Sequence, residues 1–91
     1  MGFQYYSFST GQATLNGTAS QIVAANSARS GITITNTGAV DVYIIENTSG
    51  TTSTGHLLPG VKGASVSFGT TEAIFGITGG SAATVTYLQT Q

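Results

Sequence analysis

His56 is the only imidazole in the chain, and Asp41, Glu46 and Glu72 are its only side-chain carboxylates. Together with one of many serines, His56 and Asp41 supply the residue types of a hydrolytic triad. In such a triad the imidazole takes a proton from the attacking hydroxyl, and the carboxylate orients the imidazole. The Gly-x-Ser-x-Gly context of one common nucleophile is absent. A single histidine in a Gly-rich stretch reads more simply as a surface or interface residue. Calcium binding and glycoside hydrolysis both need clustered carboxylates. Asp41 and Glu46 differ in parity, so a regular strand points them to opposite faces. There is no Cys, hence no thiolate for zinc and no disulfide. The expectation is a protein that is not an enzyme and has no metal site or cofactor.

The charge content is unusual. Arg29, Asp41, Glu46, Lys62 and Glu72 are all there is, 5% of 91 residues, against about 25% in a typical soluble domain. Phosphate contacts need clustered Lys and Arg, and anionic membranes need a basic face. Neither nucleic acid nor membrane is therefore an expected partner. Such a neutral surface repels copies of itself weakly. The first residues lack the basic region and apolar run of a signal peptide, and the absence of Cys is compatible with synthesis in the cytoplasm and a later extracellular life.

The elements that must position any site are strands. Ile32 and Ile34 alternate with Thr33 and Thr35, and Val42 and Ile44 with Tyr43 and Ile45, the period-two pattern of half-buried strands. The short Thr37-Gly38-Ala39 connection suggests that these two form a hairpin. Further strands are expected over 3–8, 20–24, 64–68, 73–77 and 83–88, with Leu57 and Leu58 re-entering the core before the Pro59-Gly60 turn. Apolar spacing at three and four residues is never sustained, so no helix is expected. The predicted fold class is all-β: a small antiparallel β-sandwich, jelly-roll-like, of seven or eight short strands. Its expected core is Ile32, Ile34, Val42, Ile44, Val66, Phe75 and Val85. Residues 1–15 read as an N-terminal aromatic arm or edge strand, and 16–91 as a single domain.

Candidate binding residues are few. Phe3, Tyr5, Tyr6 and Phe8 hold half of the chain's aromatics, and parity puts aromatics on both faces of their segment. Such a strand needs cover on both sides, either within its own sandwich or, the favoured reading, on a neighbour. Arg29 precedes the most regular strand, and is either an interface anchor or a turn residue in water. The 47–55 stretch of Thr, Ser, Asn and Gly has the composition of a polar ligand-binding loop, but equally that of a plain soluble loop, the favoured reading.

One resemblance covers about two thirds of the chain. Ala28-Arg29, the Ile32 to Thr37 stretch, Asp41-Val42-Tyr43-Ile44, Leu57-Leu58-Pro59-Gly60, Ala73 to Ile77 and Ala83 to Tyr87 occur in an order that resembles small virion proteins of tailed bacteriophages, including head decoration (cement) proteins. The resemblance implies a homotrimeric structural protein on the capsid exterior, with the major capsid protein as partner. Phe3, Tyr5, Tyr6, Phe8 and Arg29 are then candidate capsid or subunit contacts. The alternative is a tail- or head-fibre-associated module recognising a host surface glycan.

Overall fold

A computed structural model describes residues 7–91. Its eight strands are β1 (Phe8–Leu15), β2 (Ser20–Val23), β3 (Gly31–Asn36), β4 (Val42–Ile45), β5 (His56–Leu58), β6 (Ser65–Phe68), β7 (Ile74–Thr78) and β8 (Ala83–Thr90). They form two four-stranded sheets, β1-β8-β3-β6 and β2-β7-β4-β5, in which every pairing is antiparallel. The pairs β1 with β8, β2 with β7, β3 with β6 and β4 with β5 are nested. The chain is thus one long hairpin whose tip is the 46–55 loop, rolled up until β8 meets β3 and β7 meets β4. This is the jelly-roll order, and the fold is the all-β sandwich that the alternation predicts.

The core lies between the sheets. Ile32, Ile34, Val42 and Val85 are buried there as expected, joined by Leu15, Ile22, Val23, Leu58, Ile74 and Ala83, while Ile44 and Val66 pack against them half-buried. Phe75 does not belong to this core. It alternates with the inward Ile74 and Gly76 and lies opposite Ile45 on the outer face of its sheet. Ile34 is fully buried, so Ile34→Ala is expected to cost about 2–5 kcal/mol of stability, through lost transfer energy and the cavity left behind. A urea titration showing a loss of only a few tenths would remove Ile34 from the core.

The expected hairpin of β3 and β4 is not formed, because the two strands belong to different sheets. Asn36, fully buried at the end of β3, explains the separation. Its amide donates to the carbonyls of Val40 at 2.8 Å and Pro59 at 3.1 Å, and its Oδ1 accepts the Gly38 N–H at 3.0 Å. One side chain thereby satisfies the backbone of two connections, and the chain crosses from one sheet to the other instead of turning back.

The 46–55 loop folds onto the outer face of its own sheet. A Cβ at Gly50 would lie 2.5 Å from the Cβ of Ile45, so only glycine lets the loop seat on Ile45, which is 3% exposed. The loop bonds itself as well: Asn47 Oδ1 accepts the Ser49 N–H, and Thr54 Oγ1 accepts the Thr51 N–H. It acts as a lid on apolar side chains, the part that the plain soluble-loop reading does not foresee.

Candidate functional site

The triad candidates are not brought together. Asp41 accepts the Gly60 N–H at 2.7 Å, bracing the turn before β6, whereas His56 faces Ile44, Val66 and Phe68. No hydrogen bond joins His56 to Asp41 among the described residues, and no group of three or more His, Cys, Asp or Glu side chains gathers there in metal-binding geometry.

Arg29 is not a surface anchor in the folded domain. It is 4% exposed, and its guanidinium spends its donors internally. Nε reaches Gln89 Oε1 at 2.8 Å, one terminal nitrogen reaches the carbonyls of Thr70 and Glu72 at 2.9 Å each, and the other reaches the Ala24 carbonyl. The planar fork suits this task, since it can satisfy acceptors in several directions at once. Gln89 in turn donates to Ser9 Oγ at 3.0 Å, so the network runs from β1 through β8 to the end of β2 and the β6–β7 connection.

Phe3, Tyr5 and Tyr6 lie outside the described residues. Phe8 opens β1, where it is 66% exposed and pairs with Thr90. Its side chain shares the outer face of the sheet with Thr10, Gln12 and Thr14, all exposed. Leu88 follows two register pairs along, opposite Thr10 and so on the same face. The same face continues through Thr33 and Thr35 on β3 and Ser65 and Ser67 on β6, a surface of hydroxyls with no charge.

What the residue pattern did not reveal is the state of the sheet edges. Among the described residues, each sheet ends in two strands that pair on one side only: β1 and β6 in one, β2 and β5 in the other. β1 lies beside β2. On the opposite side, β5 and β6 flank an open slot of ≈ 310 Å³ lined by Ile44, His56, Val66 and Phe68. Among the described residues, both sides of the sandwich thus end in strands with an unpaired edge, and the β5/β6 side is open. An edge strand presents a row of unpaired N–H and C=O groups, a template for another strand. Parity along His56-Leu57-Leu58 contained the signal for the slot: Leu58 points inward, so His56, two residues before it, does too.

No family model matches this sequence, and no curated protein matches it either. Among solved structures, a chain of the Bacillus endospore appendages does. That protein belongs to a family of disulfide-linked pili. The two chains share 22% identity at a TM-score of 0.58, over 94% of this chain and 83% of the other. At that identity the likeness establishes a shared fold.

It also overturns the phage reading. The fold match is to a bacterial endospore pilus, and nothing supports a head decoration protein, a capsid-exterior location, a homotrimer on a shell, a major capsid protein partner or a fibre-borne glycan module. The residues that carried the resemblance have internal work in the sandwich. Arg29 binds backbone carbonyls, Asn36 ties two connections, and Leu58, Ile74 and Val85 belong to the core. Their order reports how a jelly roll closes and is silent about what the jelly roll decorates.

Proposed function

We propose that this chain is a structural subunit that associates head to tail with copies of itself into a pilus-like appendage, and that it acts by assembling and not by catalysis. The observation that carries this reading is the polarity of the open edges. Each sheet has four strands, all antiparallel, so its first and last strands run in opposite directions. A second copy in the same orientation therefore sets its β1 against β6, and its β2 against β5, with antiparallel polarity in both sheets. Such a heterologous contact closes into rings when the rotation allows and otherwise extends as a filament. The near-absence of charge on the edge strands favours close approach, and the fold likeness to the endospore pili adds support from a protein that does polymerise.

One difference from that neighbour follows from composition. Its pili are disulfide-linked, whereas these 91 residues contain no Cys. Contacts within this segment are then non-covalent, made of backbone hydrogen bonds and apolar burial. The test is sedimentation and negative-stain electron microscopy of the purified chain over a concentration series, with and without reductant. Polymers that grow with concentration and ignore reductant are the expected result. A species of monomer mass at every concentration would overturn the reading.

A further inference from the structure

We propose that His56 makes this assembly pH-dependent, holding the contact together when the imidazole is neutral and releasing it when the imidazole is protonated. The inference rests on the head-to-tail reading and concerns the slot between β5 and β6. His56 is exposed in the single chain, pairs with Ile44 across β5 and β4, and points into the space that Ile44, Val66 and Phe68 otherwise line. None of those three side chains offers an acid or a hydrogen-bond acceptor. A copy whose β1 and β2 extend the two sheets closes this slot and takes the imidazole out of water.

The charge balance around the slot sets the sign. Among the elements that form it, β4, β5 and β6, His56 is the only titratable side chain facing in. Tyr43 is on the opposite face of β4, and Asp41 holds the Gly60 N–H. Glu46 and Glu72 line the adjoining cleft beyond Ile44 and Phe68, and their charge opposes the effect. The incoming strands, Phe8–Leu15 and Ser20–Val23, carry no charged residue, so a cation in the closed slot has no partner from that side. Burying an unpaired charge is strongly disfavoured, while a neutral imidazole is tolerated. Histidine is the side chain whose ordinary titration falls between pH 5 and 8. The contribution to assembly is therefore present at high pH and is lost as pH falls.

The experiment measures the critical concentration for polymer formation by sedimentation from pH 8 to pH 5, for the wild-type chain, His56→Phe and His56→Lys, with circular dichroism to follow the fold. For the wild type the critical concentration is expected to rise as pH falls, at a limiting slope of about tenfold per pH unit for one proton taken up per released contact. His56→Phe is expected to polymerise equally at both ends of the range, and His56→Lys at neither. A wild-type profile that is flat, or a His56→Phe profile as steep as the wild type, overturns the switch and leaves assembly standing. In the second case the titrating group is not His56. Absence of polymer at every pH overturns the assembly reading itself, and the switch with it.

Discussion

Arg29→Ala is expected to destabilise the domain by roughly 3–6 kcal/mol, because each hydrogen bond to a charged group contributes about 1.5–3 kcal/mol and the four made by this guanidinium are not additive. The residue is 4% exposed, and its removal strands the carbonyls of Ala24, Thr70 and Glu72 together with Gln89 Oε1. Small domains have only about 5–15 kcal/mol to lose, so the variant sits near the edge of folding. Arg29→Lys separates charge from shape. Lysine keeps the cation but is a point donor on a flexible stem, and it is expected to recover less than half of the loss. Urea titration at constant m-value measures both. An alanine variant within about 1 kcal/mol of wild type would mean that water satisfies these carbonyls, and that the guanidinium does not hold the two sheets together.

Arg29 also illustrates how far the residues alone could be read. A lone cation before a strand marks a residue with a specific partner, but its partners lie in sequence at Ala24, Thr70, Glu72 and Gln89. Only the rolled topology brings those together. By contrast β3 was legible in full. Ile32 and Ile34 face one core and Thr33 and Thr35 face solvent, so period two is sufficient. Strand β1 was not legible. Its inward face is Ser9, Gly11, Ala13 and Leu15, where only the last is a large apolar residue, because Tyr87 from β8 fills the space beside Gly11 instead. A Cβ at Gly11 would lie 2.5 Å from the Tyr87 hydroxyl oxygen. The volume belongs to one strand and the vacancy to its partner, and a single-strand pattern registers neither as a pair.

The candidate site was less legible than the fold, and for a physical reason. Whether a strand is central or an edge depends on its neighbours, not on its own alternation. β6, with Val66 and Phe68 inward and Ser65 and Ser67 outward, has the pattern of any half-buried strand. The uncovered slot beside it exists because β5 has only three residues. Aromatic clustering drew attention to the N-terminal segment, whereas the open sides are set by strand order.

Strand order makes a sharp demand on how copies meet, and mixing two variants tests it. In the first, His56→Lys and Ser67→Lys place charge on the β5/β6 side. In the second, Gln12→Lys and Gln21→Lys do so on the β1/β2 side. All four positions are exposed, and exposed substitutions usually shift stability by no more than about 0.5 kcal/mol, so both variants are expected to fold. Ser67→Lys does give up a 2.7 Å contact with Thr33 Oγ1, which circular dichroism and a urea titration would register. Lysine on an edge is a natural block to strand addition. Each variant alone is expected to raise the critical concentration by more than about tenfold, the effect of losing some 1.4 kcal/mol per contact. Mixed in equal amounts, they are expected to form dimers and stop. The first variant retains a working β1/β2 side, the second a working β5/β6 side, and one joint uses up both. An isologous contact predicts otherwise. If β6 met β6, the second variant alone would dimerise. If β1 met β1, the first alone would do so. Analytical ultracentrifugation distinguishes these patterns directly. A mixture that stays monomeric while the wild type polymerises would place the contact away from both edges, with the uncharged hydroxyl face of Thr10, Thr33, Thr35 and Thr86 as the remaining broad surface on which copies can meet.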